Sequence, residues 1–179
     1  MITRLPTTLE VDGVERKIRS DFRDALECFS AMNDASLTNG EKMYCVLYIL
    51  FEDFDKIVDY DEAIKKALWF LSCGKESNQD LPKRMDWEQD FDLIAPPVNR
   101  VLGYECRSVE YLHWWTFIGA YMEIGECPFQ SIVSIRIKRQ KGKKLEKYEQ
   151  EYYREHKDEI DLKTAYSAED DDIFAQFGV

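Results

Sequence analysis

Tyr111-Leu-His-Trp-Trp-Thr-Phe-Ile-Gly-Ala-Tyr-Met-Glu-Ile124 is the densest apolar stretch of the chain. On a 3.6-residue period Tyr111, Trp115, Ile118 and Met122 fall on one stripe, and Leu112, Trp114, Phe117 and Tyr121 widen it almost to the full circumference. A helix that is apolar on nearly every side belongs at the centre of a domain. This one is too short to span a bilayer, which takes about 20 apolar residues. The expectation is therefore a buried central helix with Leu112, Trp114, Trp115, Phe117 and Ile118 in the core. His113 is expected to be a core or boundary histidine with a hydrogen-bond partner.

The elements around it follow the same logic. Leu9, Val11, Val14 and Ile18 flank Asp12-Gly13, so residues 7–19 read as a β-hairpin with a type I′ turn. Phe22, Ala25, Leu26, Phe29 and Met32 recur at helical steps over residues 21–33, with Ser20 or Asp21 as the cap. A second helix covers Asn39 to Phe51 on Met43, Val46, Leu47, Leu50 and Phe51, with Tyr44 and Tyr48 beside them. A third opens with a capping-box-like Asp59 and Glu62 and stops near Gly74. Residues 75–84 are a polar connection. A fourth runs from Asp86 to Leu102, with a kink or break expected at Pro96-Pro97, and Gly103 marks its end. The aromatic helix is expected from Ser108 to Ile124. A sixth begins at Pro128 with Phe129, Ile132, Val133, Ile135 and Ile137, and a charged one spans Leu145 to His156. The fold class is α+β and predominantly helical: an N-terminal β-hairpin packed on a bundle of five to seven helices. Residues 1–166 read as one domain and residues 167–179 as an acidic tail.

The 179 residues carry 24 Lys and Arg against 35 Asp and Glu, a net charge of −11. A 45% apolar and 13% aromatic content suffices for a core. The charge is uneven. Residues 1–135 sum to −10, residues 136–157 to +5 and residues 158–179 to −6. The basic segment holds Arg136, Lys138, Arg139, Lys141, Lys143, Lys144 and Lys147. It reads as a solvated helix end and loop, with folding back onto the acidic body as one form of it, as a contact for an acidic partner or a second copy, or as a nucleic-acid contact with Tyr148, Tyr152 and Tyr153 for stacking. The negative remainder disfavours the last of these. The tail places Ile173, Phe174 and Phe177 after an acidic run, as a short docking motif would. Candidate partner-binding residues are thus Arg136, Lys138, Arg139, Lys143, Lys144, Lys147, Ile173, Phe174 and Phe177.

Chemistry is sparse by comparison. There is no phosphate-loop, dinucleotide, nucleophile-elbow or zincin motif. Cys28, Cys45, Cys73, Cys106 and Cys127 contain no C-x-x-C, so no zinc site is indicated, and reduced thiols in a cytosol are expected. His113 and His156 are far apart. Paired acids such as Asp90/Asp92 and Glu52/Asp53/Asp55 arise readily among 35 carboxylates. Asp170-Asp171-Asp172 lacks the spaced ligands and glycine of a calcium loop. The start, Met1 to Pro6, has no basic region leading into an apolar stretch, so no signal peptide is expected. Neither catalysis nor a cofactor is expected; an interaction protein is.

Several blocks taken together resemble a known family. They are the hairpin followed by Asp21-Phe-Arg-Asp-Ala-Leu26, then Glu41-Lys-Met43, Glu62-Ala-Ile-Lys-Lys-Ala-Leu-Trp-Phe-Leu71, the stretch Asp86 to Tyr104, Leu112-His-Trp-Trp-Thr-Phe117 and Ile132-Val-Ser-Ile-Arg136. Over residues 4–166 the chain resembles the gene-product-fifteen family of long-tailed bacteriophages and prophages, the Leu-His-Trp-Trp block being the most specific part. The resemblance implies a product encoded between tail-tube and tape-measure proteins, and so a tail-assembly chaperone. Such a protein binds tape-measure protein without turnover and keeps it soluble until tube subunits enclose it. Tail-tube protein and a second copy are further expected partners, and nucleic acid and membrane are not. The expected location is the host cytoplasm during assembly, outside the mature virion. The alternative is a structural tail or neck component retained in the particle.

Overall fold

Asp12 and Gly13 have φ of 57° and 68°, the two consecutive positive values that a type I′ turn needs. A computed structural model describes residues 4–75 and 83–163. Across the turn, β1 (Thr8–Val11) and β2 (Val14–Lys17) pair antiparallel, Val11 opposite Val14 and Thr8 opposite Lys17. Leu9, Val11 and Ile18 enter the core, but Val14 is exposed, and Arg16 opposite Leu9 takes the buried place instead. Its guanidinium donates to Asp53 at 3.0 Å, to Asp12 at 2.9 Å and to the Lys56 carbonyl at 2.8 Å.

Eight α-helices follow among the described residues: α1 (Phe22–Asn33), α2 (Asn39–Leu50), α3 (Tyr60–Leu71), α4 (Trp87–Leu102), α5 (Trp114–Met122), α6 (Pro128–Gln140), α7 (Lys147–Glu155) and α8 (Lys157–Ile160). Short 3-10 turns occupy Phe54–Lys56 and Cys106–Ser108. The protein is α+β and mostly helical, as the pattern indicates, with the four-residue α8 beyond the helices that periodicity marks. The domain boundary expected after residue 166 lies outside the described residues.

Capping explains most helix starts. Asp21 accepts from the Arg23 N–H, and Asp59 from the Glu62 N–H. Thr38 and Glu41 close a full capping box on α2, which the sequence reading did not identify. The box expected on α3 is only half formed. The Glu62 carboxylate turns away to accept the Asp12 N–H at 2.9 Å, which fastens the hairpin turn to α3. Asp12 in turn accepts from the Val58 and Asp59 N–H groups at 3.1 and 2.8 Å, and these bonds hold its carboxyl below the usual range.

Of the expected helix limits, a break within α4 and an early start of α5 are both absent. The helix α4 runs unbroken through Pro96-Pro97. The prolines deny donors to the Asp92 and Leu93 carbonyls, a cost of about 3 kcal/mol per proline in an isolated helix. However, Asp92 and Pro96 lie on the exposed side, where water reaches the backbone, while Ile94, Ala95, Pro97 and Val98 are buried. Packing against α1, α5 and α6 holds the helix in place of its own propensity.

The second of these is the start of α5. It begins at Trp114, not near Ser108, because a distant strand claims the preceding backbone. Phe22 donates to the Leu112 carbonyl at 2.9 Å, Trp114 donates to the Ser20 carbonyl at 2.8 Å, and Asp21 and His113 form a β-bridge. The helix is also less enclosed than expected. Leu112, Trp114 and Phe117 are buried, Trp115 and Ile118 are half-buried, and Tyr111 and Met122 are exposed. The buried residues of α5, Trp114, Phe117 and Ala120, share one face, against which α1 and α4 pack.

The core is an aromatic stack on that side. The Phe22 and Phe117 rings lie 4.7 Å apart and nearly parallel, and Trp114 sits 5.6 Å from Phe29 and 5.7 Å from Trp87. A smaller cluster of Ile132, Ile135 and Ile160, with Leu145, Tyr152 and Tyr153, joins α6, α7 and α8.

His113 caps α5. Its Nδ1 accepts from the Trp115 N–H at 3.0 Å and its Nε2 lies 2.9 Å from the Pro6 carbonyl, an arrangement that requires a neutral ring protonated on Nε2. Burial pushes its pKa down, against the Pro6 bond. The unfolded chain therefore binds a proton that the folded chain refuses, so stability is full above the free-histidine value of about 6.5 and falls as pH drops below it. Urea midpoints measured from pH 8 to pH 5 should show this loss. His113→Asn keeps a cap acceptor without a titrating ring and should flatten the slope in the upper part of that range.

Candidate functional site

The Leu112-His-Trp-Trp115 block acts as a clamp. The Leu112 N–H donates to Asp21 Oδ2 at 2.8 Å. The Trp114 and Trp115 indoles donate to the Leu71 and Phe70 carbonyls at 2.9 and 2.8 Å at the end of α3, where the Phe70 carbonyl also accepts the Cys73 N–H at 3.0 Å. Trp115 then packs edge-on against Trp69 at 5.4 Å. A Cβ on Gly74 would meet both indoles, at 3.3 and 3.4 Å, and the residue has φ of +73°, so only glycine fits comfortably. These residues build the fold; Trp114 presents no surface to a partner.

The basic segment divides in two. Arg136 is 4% exposed and forms a two-pronged ion pair with Asp90, at 2.6 and 2.9 Å. It also donates to the Ile160, Glu159 and Arg84 carbonyls at 2.6, 3.0 and 3.2 Å. It is corrected from a docking residue to the bolt that fastens α6 to α4 and α8. Lys138 pairs with Glu149 at 2.6 Å, which depresses the Glu149 carboxyl pKa. Arg139 pairs with Asp161 and lies over the Tyr153 ring at 4.1 Å. These three serve intramolecular contacts. Lys141, Lys143, Lys144 and Lys147 are exposed around the α6–α7 turn, and no side chain among the described residues pairs with them. Ile173, Phe174, Phe177 and Asp170-Asp171-Asp172 lie outside the described residues.

A second surface escaped the sequence reading. Tyr44 and Tyr48 from α2, Phe54 from the 3-10 turn and Tyr60 from α3 converge. Phe54 is half-buried, and the three tyrosines meet it edge-on at 4.9, 5.8 and 5.9 Å. The tyrosines remain 53%, 64% and 42% exposed, and Val58 nearby is 82% exposed. Exposed aromatic rings that already contact one another form a rigid apolar platform with little side-chain entropy left to lose on binding. Acids adjoin it. A neighbouring furrow of about 380 Å³ is lined by Tyr48 and Phe54, by Asp24, Glu27, Glu52 and Asp55, and by Arg19. Burial pushes the Asp24 carboxyl up, aided by Asp21 and Glu27. The signal in the sequence was Tyr44 and Tyr48, four residues apart on the wrong side of an apolar stripe.

For catalysis or metal binding little is assembled. Among the described residues no three His, Cys, Asp or Glu side chains are grouped to hold a metal ion. All five cysteines are free; burial pushes the Cys28 thiol far up and Cys73 up to about 12, away from the reactive thiolate. No helix among the described residues is long and apolar enough to cross a membrane.

The two halves of the basic segment should behave differently on substitution. Arg136→Met strands a buried carboxylate and is expected to cost about 3–5 kcal/mol in urea unfolding, while Arg136→Met with Asp90→Leu recovers part of it. Lys143→Glu and Lys144→Glu should stay within about 0.5 kcal/mol.

Comparison with known proteins gives one finding. The family model described as Bacteriophage Gp15 protein matches residues 1–162. No curated protein and no solved structure matches. The chain belongs to that bacteriophage family.

Proposed function

We propose, with membership of a bacteriophage family as the premise, that this chain is a tail-assembly chaperone. It binds tape-measure protein without turnover in the host cytoplasm and leaves before the virion is complete. The supporting observation is the aromatic platform of Tyr44, Tyr48, Phe54 and Tyr60 on an acidic body. A long helical client exposes apolar stripes until tube subunits enclose it. Tyrosine rings offer such a stripe a large, rigid contact area. The net charge of −11 then keeps coated clients apart from one another. No covalent chemistry is needed for this work. Tube subunits displace the chaperone by covering the same client surface.

Co-expression tests the reading. The tape-measure protein of the same phage should remain in the supernatant and co-purify with this chain. Tyr44→Ser with Tyr48→Ser should lower the recovered complex about tenfold, since two exposed aromatic anchors carry more than 1 kcal/mol between them. No gain in solubility and no co-purification contradicts the reading. Mass spectrometry of purified virions should find this chain absent or far below the tube protein. Stoichiometric presence would make it a structural tail or neck component instead.

A further inference from the structure

Between α6 and α7 runs an open furrow of about 840 Å³ that no contact described above fills. Its walls extend from Cys127 to Ile135 on one side and from Tyr148 to Glu155 on the other. At about 1.5 Å per residue, each wall is two helical turns long. Over that length a guest helix presents anchors at positions i, i+4 and i+7. The floor is apolar: Ile135 is buried and Tyr152 half-buried in the smaller cluster. Tyr148 stands one turn before Tyr152 and is 69% exposed. Ser131 and Ser134 keep the α6 wall low.

Charge decides the occupant. The lining contains four glutamates and no lysine or arginine. Lys138 already neutralises Glu149. The Glu126, Glu151 and Glu155 side chains are exposed, and none has an ion-pair or hydrogen-bond partner among the described residues. Three exposed carboxylates without a partner around an apolar floor favour a cationic guest over an anionic one. The chain's own C-terminal segment is the wrong guest, because residues 164–179 carry Glu169, Asp170, Asp171 and Asp172 and no basic residue.

We propose that the α6–α7 furrow docks a basic amphipathic helix of a partner protein. The guest's apolar stripe lies on Tyr148, Tyr152 and Ile135, and its flanking lysines or arginines reach Glu126, Glu151 and Glu155. The inference rests on the chaperone reading in one respect, that the tape-measure client supplies the helix. Two contacts on one long client, this furrow and the aromatic platform, would add their affinities through effective concentration.

The test uses the full chain and a fluorescein-labelled synthetic peptide patterned from leucine and lysine as an amphipathic helix, beside a scrambled peptide of the same composition. Fluorescence anisotropy should show the helical pattern binding about tenfold tighter than the scramble, with affinity falling as salt rises. Glu151→Lys with Glu155→Lys, and separately Tyr148→Ser, should each weaken binding about tenfold or more, whereas Glu110→Lys should not. All these side chains are exposed, so thermal melts should confirm intact folding. Equal affinity for both peptides, or binding unchanged by Glu151→Lys with Glu155→Lys, overturns the proposal. Co-expression separates it from the functional reading. If tape-measure protein co-purifies equally with wild type and with this double variant, the furrow is not the client site and the chaperone reading stands. If wild type binds the peptide but retains no tape-measure protein, the chaperone reading fails and the furrow keeps its ligand chemistry.

Discussion

The Asp21 carboxylate joins the two halves of this molecule. One oxygen accepts the Arg23 N–H and so starts α1; the other accepts the Leu112 N–H, 91 residues away. Around it the backbone of Ser20 to Phe22 is bonded to Leu112 and Trp114. The same strand, a few residues earlier, is bonded to the end of α2, with Arg19 donating to the Leu50 carbonyl and Glu52 to the Lys17 carbonyl. Residues 17–22 are therefore a hub of main-chain bonds to two distant segments. Loss of an N-cap costs about 1 kcal/mol and a buried unsatisfied amide about 1–3 kcal/mol, so this one side chain controls a sizeable part of a marginal stability.

The position of α5 depends on that pairing. Holding Leu112 and His113 in an extended strand fixes where the helix begins, and that start aims Trp114 and Trp115 at the end of α3. The two indoles then serve as caps for α3 while Trp114 enters the aromatic stack. This gives the Leu-His-Trp-Trp order a physical meaning: a strand residue, a helix cap and two long donors in succession. The C-terminal helices hang on this body by different means. Phe129 at the start of α6 enters the main core beside Tyr121, a small apolar cluster joins α6 to α7 and α8, and the Asp90–Arg136 pair with its carbonyl bonds fastens α6 and α8 to α4. Because α6 and α7 are braced from that side and from α8, their other faces stay apart. An open furrow of about 840 Å³ remains there, against about 380 Å³ for the one beside Tyr48 and Phe54.

Local patterns in the sequence were legible where local forces decide. Asp12-Gly13 marked the hairpin turn, Asp21 the first helix and Gly103 the end of α4, and each is in place. The extension of α5 back to Ser108 was wrong because Tyr111 and Leu112 have helical spacing while the backbone of Leu112 to Trp114 is committed to Ser20 and Phe22. Nothing within a helical window reports that. Arg136 was misread for a related reason. In a run of lysines and arginines it looks like surface, yet its partner Asp90 lies 46 residues upstream and buries it. The reading of the segment as folded back on the acidic body does describe Arg136, Lys138 and Arg139. The lysines of the turn are the solvated loop of the same reading. The aromatic platform was invisible because its members come from three elements, and Tyr44 and Tyr48 pass for the edge of an apolar stripe.

Amide hydrogen exchange, followed residue by residue by NMR, tests the central role of the Ser20–Phe22 pairing with Leu112–Trp114. The amides of Phe22, Leu112 and Trp114 donate into that pairing. They are expected to exchange only through global unfolding, as slowly as the mid-helix amides of α1 and α5. Exchange through local opening, about a hundredfold or more faster than those helices, would mean that the halves are held together elsewhere and would contradict it.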